Sequence, residues 1–360
     1  MASSSHPFST SSASLAIKKT LPSGLVIEDR ARIITGALSG KKIKLHNDSF
    51  GYPLSTPHAG FGSKGALSVE FSRLSIGTNG KLSLQMEEKL SAIQALLPSP
   101  GNDPNMLNHK LQLGLFVPST NTSMETELWS ILKGSQKNAT LTDGIGIHNV
   151  NILTAKPKVG SAADVTLYRD QFLAGMRDAL STMKHVVCHH YIMGMSMEHI
   201  ISTYDGVKKP MEDFEKDCDG IGLAAWHHAA TAALQKFGAQ KIALLTPFDK
   251  SGQESAVNVF TEMGFDVVRD LGFACATTLD IGHVPHQAKV KAITDILDGE
   301  DVDAIVQCGT NFSLLPVICE VEAKIGKPVL GINQTLLWYA LREAGFEEKL
   351  ENAGRLFAEH

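Results

Sequence analysis

The sequence lacks any apolar stretch near the ~20 residues of a membrane span, so we do not expect the chain to cross a membrane. It also lacks an excess of positive charge, because 33 Lys and Arg stand against 38 Asp and Glu, for a formal net charge of -5 over 360 residues. Proteins that bind a phosphate backbone usually carry a positive face. Nucleic acid is therefore not an expected partner.

Cysteine is scarce, with five residues at positions 188, 218, 275, 308 and 319 and no C-x-x-C pair. The odd number and irregular spacing argue against a disulfide framework and against a structural zinc site. Free cysteines fit a reducing compartment, so a cytoplasmic location is expected. No Walker-type GK[ST] motif occurs, and His189 and His190 would point to opposite faces of a strand. We expect neither a nucleotide cofactor nor a metal.

Residues 1–108 are interpreted as an N-terminal extension. It comprises a serine-rich tail over about residues 1–20, a partly ordered remainder and a Pro/Gly-rich linker at 97–108. The serine-rich start is either a disordered tail or an organelle-targeting segment. No chemistry is assigned to this region.

From residue 110 onward, short apolar runs alternate with helix-length amphipathic segments. The predicted strands lie at 111–117, 185–193, 241–245, 265–268, 304–307 and 328–332. The predicted helices lie at 168–183, 222–237, 252–263, 285–297, 314–325 and 334–344. This alternation is typical of βαβ units in mainly parallel sheets.

A coarse internal repeat predicts an α/β fold with two similar lobes, each a mainly parallel sheet flanked by helices. Apolar strands that end at Pro118 and Pro247 are each followed by a later strand that ends in a small, polar turn. We place the first lobe at 109–222 and the second at 223–333, with a C-terminal helix at 334–360 returning to the first. Ligands of open α/β sheets bind at the carboxyl ends of strands, so the active site is expected in the cleft between the lobes.

The first strand-end segment is 117–122 (VPSTNT). Hydroxyls, an amide and free backbone N–H groups at the start of a helix suit a carboxylate. The same residues also suit a plain helix cap by Thr122 or Ser123.

The other two segments contain a glycine and a cysteine at strand ends. Gly194 would let a ligand approach the backbone, with Ser196 donating to an oxyanion, or the segment is simply a tight turn. Cys308, near the start of a helix, suits a proton donor, a base or a nucleophile. Its alternative role is a small buried apolar filler.

In this order and spacing, these segments resemble the aspartate/glutamate racemase superfamily, and more closely its maleate isomerase and arylmalonate decarboxylase branch. Residues 117–127 (VPSTNTSMETE) resemble the N-terminal signature of maleate isomerases, and 245–248 (LTPF) the start of the second lobe. Residues 307–313 with 326–329 and 333–341 resemble the second cysteine loop and the closing strand and helix. The resemblance covers residues 110–360.

The resemblance implies a cofactor-independent enzyme that acts on a small carboxylic acid. Racemases and maleate isomerases of this type carry one cysteine on each side of the cleft, whereas here the first position falls on Gly194 and the second on Cys308. A glycine opposite one cysteine resembles arylmalonate decarboxylase, in which the enediolate left by decarboxylation is protonated by the thiol. A rival alignment puts Cys188 in the first position.

The resemblance also implies roles for the surrounding residues and an empty space opposite the thiol of Cys308. Ser196 and the backbone of Met195, Gly309 and Thr310 would hold oxyanions. Asn121 and Ser119 would bind a carboxylate. The remaining residues expected to line the substrate site are Pro118, Thr122, Gly194, Phe248 and Asn311, with Phe248 where the family often has a tyrosine.

Three functions therefore remain open. The first is decarboxylation of a malonate-like acid. The second is cis–trans isomerisation of an unsaturated dicarboxylate, with Cys308 adding to the double bond. The third is carboxylate binding without catalysis. The sequence leaves self-association undecided.

Overall fold

The computed structural model of the chain describes residues 110–153 and 162–360, together with residues 19–20, 26–27, 89, 91, 92 and 95. The chain divides into two compact units, Met1–Met106 and Leu107–His360. In the first unit, strand β1 (Lys19–Thr20) pairs antiparallel with β2 (Val26–Ile27). The predicted linker at 97–108 and most of the serine-rich tail lie outside the described residues.

The second unit contains two sheets of four parallel strands each. The strands of the first sheet are β3 (Leu111–Pro118), β4 (Ile145–Ile152), β5 (His190–Met193) and β6 (Gly222–Ala224). They lie in the order β4-β3-β5-β6. Central β3 is buried over nearly its whole length, which is why it reads as a continuous apolar run.

The second sheet repeats this plan. Its strands are β7 (Lys241–Thr246), β8 (Asp266–Gly272), β9 (Ala304–Gln307) and β10 (Val329–Gly331). They lie in the order β10-β9-β7-β8. Two α/β lobes with parallel sheets were predicted, and this fold class is confirmed.

Helices connect the strands and cover the sheets. In the first half of the unit they are α1 (Met124–Lys133), α2 (Gln136–Leu141), α3 (Ala162–Met183), α4 (Tyr204–Lys216) and α5 (Trp226–Lys236). In the second half they are α6 (Lys250–Glu262), α7 (His286–Lys291), α8 (Leu315–Ile325), α9 (Ile332–Glu343) and α10 (Gly354–Glu359). A 3-10 turn (Asp280–His283) precedes α7, and a π-helical turn (Ala292–Leu297) extends it.

Helix α9 packs against α1 and α5 of the first half, and it contacts β5 and β6. Its residues from Ile332 to Leu337 are all buried. None of the described helices is long and apolar enough to cross a membrane.

Several predicted elements differ from the structure in their bounds. The predicted helix at 222–237 begins as strand β6, and the first sheet thus continues through Ala224, past the lobe boundary expected at residue 222. A run of three residues is too short to show a period of two or of 3.6. The predicted strand at 185–193 is shortened to β5.

The described elements that were not predicted include β4 and α4. Strand β4 lies at the edge of its sheet and carries the polar residues His148, Asn149 and Asn151. Helix α4 contains Pro210, which as a rule ends or kinks a helix.

Candidate active site between the two sheets

Loops at the carboxyl ends of β3, β5, β7 and β9 meet where the two sheets face each other. Direct hydrogen bonds join the β5 loop to the β9 loop. The Gly309 N–H donates to Ser196 Oγ at 3.2 Å, and Thr310 Oγ1 donates to the Gly194 carbonyl at 2.9 Å. The structure thus brings these four residues together, because the carboxyl ends of strands from the two sheets meet at this point.

Asn121, in the β3 loop, uses both ends of its amide. Its Oδ1 accepts from the backbone N–H groups of Ser123 and Met124, at 3.0 Å each, at the start of α1. Its Nδ2 donates to Thr310 Oγ1 at 2.9 Å. The caps considered in the sequence, Thr122 and Ser123, are not the observed ones, since Ser123 stands at the cap position without a side-chain cap bond.

Asn311 fastens the β9 loop to the β3 loop. Its Oδ1 accepts from the Thr122 N–H and from Ser123 Oγ, each at 3.0 Å. Its Nδ2 donates to the Thr278 carbonyl at 3.1 Å. The Asn311 amide is therefore occupied by protein partners.

Cys308 follows β9 directly, and its side chain is completely buried. Its N–H donates to the Leu245 carbonyl at 3.0 Å, which continues the pairing of β9 with β7. Burial, and then the nearby Glu198 carboxyl, raise the pKa of the thiol well above its ordinary value. Cys308 is consequently a neutral thiol near pH 7 and holds a proton that it can donate.

The structure leaves no room for a side chain at Gly194, whereas the open space expected between this position and Cys308 stays a prediction. Gly194 continues the sheet by donating its N–H to the Phe116 carbonyl at 2.6 Å. A Cβ atom added there would lie 2.6 Å from that oxygen and 2.7 Å from Met124 Sδ. Strand β3 and helix α1 fill the place where a side chain would stand.

The residue that faces the thiol is Glu198, which the sequence analysis missed. Only 1% of its surface is exposed, and burial raises the pKa of its carboxyl to about 6, although the nearby donors of Cys308, Ser196 and Trp226 act in the opposite direction. None of those donors is aligned to hydrogen-bond a carboxylate oxygen. The sequence did contain a signal for this residue, because a glutamate follows the mostly apolar segment that begins at Gly194 after β5.

Phe248, at the position where the family often has a tyrosine, stacks on His199. Their ring centroids are 4.6 Å apart, with 18° between the ring planes. Burial lowers the pKa of His199 to about 4, so its ring is neutral at pH 7. A ring pair thus occupies the place where the resemblance would put a hydroxyl donor.

The other predicted lining residues lie at the margin. Ser119 is exposed, and its N–H donates to the Ile152 carbonyl at 2.9 Å. Thr122 is exposed as well, Pro118 is buried as the last residue of β3, and Met195 packs in the apolar core beneath the first sheet.

Cys188 lies before β5, at the opposite end of that strand from Gly194. Its Sγ is 3.7 Å from Met183 Sδ, inside an apolar cluster. Cys188 therefore does not stand opposite Cys308, and the rival alignment has no support in the geometry.

A pocket of about 230 Å³ adjoins the site on the outer side of α1. Its lining includes Asn121, Thr122 and Glu125 but neither Cys308 nor Glu198. Because Cys308 is fully buried, no ligand can contact its thiol unless the surrounding loops move. Across residues 110–153 and 162–360, no three His, Cys, Asp or Glu side chains converge in a way that could hold a metal ion.

A family model described as arylmalonate decarboxylase matches residues 191–357, a span that contains both Gly194 and Cys308. The resemblance to the maleate isomerase and arylmalonate decarboxylase branch is confirmed. Within this branch, a maleate isomerase of Pseudomonas putida is 26% identical to the chain over 249 residues, or 69% of this chain and 97% of that protein.

Solved structures of the same branch share the fold. A maleate cis–trans isomerase of Nocardia farcinica, a cysteine-to-serine variant with a covalently bound succinylcysteine intermediate, gives a TM-score of 0.56 at 21% identity, covering 69% of this chain and 99% of that one. A liganded arylmalonate decarboxylase variant, in which one glycine is replaced by cysteine and one cysteine by serine, gives a TM-score of 0.54 at 15% identity. The match covers 70% of this chain and 100% of that one.

Proposed function

We propose that this chain is a cofactor-independent enzyme that decarboxylates a malonate-like dicarboxylic acid. The observation that carries the proposal is the state of Cys308, a fully buried thiol whose pKa lies well above its ordinary value. A neutral thiol is a proton donor, whereas nucleophilic attack needs the thiolate. Glycine rather than a second thiol stands at position 194.

The relatives support this assignment. In the decarboxylase variant, the glycine replaced by cysteine and the cysteine replaced by serine lie 114 residues apart. The same interval separates Gly194 from Cys308 (194 to 308).

The surrounding groups suit the electrons that decarboxylation releases. When the bond to the departing carboxylate breaks, its electron pair forms an enediolate on the remaining acid. The Gly309 N–H and the hydroxyls of Ser196 and Thr310 now bond protein atoms at the same point of the cleft. A substrate carboxylate would take over these donors, and pre-organised donors of this kind lower a barrier by about 3–4 kcal/mol each.

Two further contacts complete the step. Asn121 Nδ2, which here donates to Thr310 Oγ1, would hold the retained carboxylate. The S–H bond of Cys308 then breaks as its proton moves to the carbanion carbon. The products are carbon dioxide and the monocarboxylic acid.

Maleate-type isomerisation is the second candidate, because the curated relatives are maleate isomerases and one related structure holds a succinylcysteine. The segment 119–122 (STNT) also matches the isomerase signature. In this reaction Cys308 would have to lose its proton, add to the double bond and leave after rotation.

The test is to incubate the full chain with phenylmalonate, methylmalonate and maleate while following carbon dioxide and fumarate. We expect carbon dioxide from a substituted malonate and no fumarate. Cys308→Ser should lower the turnover roughly 100-fold or more, whereas Cys188→Ser, also a buried thiol, should retain it.

Fumarate with a covalent adduct on Cys308 would instead establish the isomerase. A rise in melting temperature with added acid, but no product, would leave carboxylate binding alone. Full turnover by Cys308→Ser would remove the thiol from the mechanism.

A further inference from the structure

We infer that Glu198 returns a proton to Cys308 after each turnover, and so acts through the thiol rather than on the substrate. This inference rests on the proposed function, in which the thiol gives its proton to carbon. It adds a second acid to the site that neither the family resemblance nor the spacing of the strand ends supplies.

The first observation is the position of the Glu198 carboxyl. The side chain is 1% exposed and lies against the thiol of Cys308, the hydroxyl of Ser196 and the indole of Trp226. Among the residues that the structure describes, neither of its carboxylate oxygens has a hydrogen-bond partner, and the Trp226 Nε1 also lacks one. Buried polar groups are as a rule hydrogen-bonded, and what distinguishes Glu198 is that its unpartnered carboxyl lies beside the thiol of Cys308.

Two other buried glutamates show what a structural carboxylate looks like in this fold. Glu127 accepts from Ser313 Oγ at 2.7 Å, from the Leu315 N–H at 2.8 Å and from Asn333. Glu322 accepts from the N–H groups of Val329 and Arg355. The Glu198 oxygens accept no aligned hydrogen bond, although Ser196 and Trp226 lie nearby, and the carboxyl is placed beside an ionisable thiol.

The electrostatics allow the carboxyl to carry a proton near neutral pH. Burial raises its pKa to about 6. The titratable group that faces it is Cys308 from the second lobe, while Ser196 and Trp226 contribute neutral donors from the β5 loop and from α5. A thiolate formed beside it would disfavour its ionised form further, because like charges repel.

The proton balance closes with water as the ultimate source. Cys308 loses its proton to the carbanion carbon and becomes a thiolate. The O–H bond of Glu198 then breaks and an S–H bond forms, which restores the thiol and leaves a carboxylate. That carboxylate takes a proton from water when the loops separate and product leaves, so each turnover consumes one proton.

The main test uses Glu198→Gln, which keeps the shape and removes the exchangeable acid, with Glu322→Gln as a matched buried control. The first turnover of Glu198→Gln should proceed as a burst of one product per site, because Cys308 starts protonated. Steady-state turnover should then fall roughly 100-fold, within the range for general acid catalysis. Glu322→Gln should show neither effect.

The pH profile gives a readout that a structural role would not change. Wild-type steady-state kcat should fall as the pH rises through about 6, where Glu198 loses its proton. In Glu198→Gln this dependence should disappear. Equal kcat and equal pH profiles in the two proteins would overturn the inference even if the decarboxylase activity is real.

A second measurement does not depend on turnover. The rate at which iodoacetamide alkylates Cys308, identified by mass spectrometry, reports the thiolate fraction as a function of pH. Removing the neighbouring carboxylate should move the alkylation midpoint to lower pH in Glu198→Gln but not in Glu322→Gln. An unchanged midpoint would refute the coupling, whereas a shifted midpoint in a protein that turns over no malonate would refute only the proposed function.

Discussion

Among single residues, Gly309 shows most directly why the site needs a particular amino acid. Its φ of +91° lies in the left-handed region, and an added Cβ would lie 2.7 Å from Pro247 Cγ. The same residue presents its N–H to Ser196 Oγ. Glycine thus allows the backbone to aim a donor into the cleft immediately after the thiol.

Replacing Gly309 with alanine should therefore reduce both stability and activity. We expect the free energy of unfolding to fall by about 1–3 kcal/mol, from the left-handed backbone and the contact with Pro247, and kcat to fall because the N–H moves. Urea denaturation and steady-state kinetics measure the two effects.

The control is Gly326→Ala, at φ +70° with open space around its Cβ position. It should lose about 1 kcal/mol of stability and keep full activity. Unchanged kcat in Gly309→Ala would show that its N–H takes no part in the reaction.

For the elements, the start of α1 combines a structural and a functional contact in one side chain. The Oδ1 of Asn121 accepts from two N–H groups of the first turn, while its Nδ2 reaches Thr310 in the other lobe. Helix stability can therefore be separated from the proposed carboxylate binding by a substitution at this one position.

Asn121→Asp should keep the cap and lose the donor. Asp and Asn cap helices about equally well, whereas alanine costs about 1 kcal/mol. We expect Asn121→Asp to fold with wild-type stability but with a strongly raised KM, since a carboxylate would face the substrate carboxylate. Asn121→Ala should lose both stability and affinity. Thermal unfolding measures the effect on stability, and steady-state kinetics measures KM. A wild-type KM in Asn121→Asp would exclude this side chain from substrate binding.

Elements with a clear local pattern, either an apolar run or an amphipathic period, could be predicted from the sequence. Elements without such a pattern could not. Strands β3 and β9 are buried on both faces and are almost entirely apolar, so their positions were predicted closely. Strand β6 could not be separated from the helix after it, because three residues carry no period. Edge strand β4 owes its place to pairing with β3 along eight residues, a long-range contact without a local signal.

The site residues divide in the same way, into those that a local sequence pattern identifies and those that only long-range packing brings to the site. Asn121 and Ser196 follow strands of the first sheet, and parallel topology brings such residues to one edge. Thr310 follows the corresponding strand of the second sheet, where the internal repeat of the sequence places it. Glu198 was missed because its meaning depends on Cys308, which lies far along the chain and meets it only when two lobes pack. Gly194 was identified, but its tight packing against the Phe116 carbonyl depends on atoms that no motif specifies.

For the molecule as a whole, buried histidines contribute to the loss of stability in acid. Burial lowers the pKa of His190 and His199 to about 4 and that of His227 to about 3, all from 6.5. A base whose folded pKa is lowered contributes stability above pH 6.5 and loses it as the pH falls toward the folded value. Glu198, with a raised pKa, contributes in the opposite direction, since its stabilisation is lost as the pH rises through about 6.

His227 offers the sharpest test, because it is 2% exposed and neither ring nitrogen has a partner among the described residues. Between pH 6.5 and pH 5 it should account for about 2 kcal/mol of lost stability. In His227→Leu, the difference in unfolding free energy between pH 7 and pH 5 should shrink by that amount, as measured by urea denaturation. His286→Leu, at an exposed position, should leave the difference unchanged, and an equal response in both variants would contradict the assignment to burial.

The crowding around Gly194 limits which side chains this position can accept as the sequence evolves. Exchange of this glycine for cysteine would place a carbon against the backbone oxygen of Phe116 and the sulfur of Met124. The Met124 side chain can rotate away, but the carbonyl belongs to the central strand of a sheet. A second thiol at this position would therefore require β3 to move away from Gly194, so the course of the central strand favours glycine here.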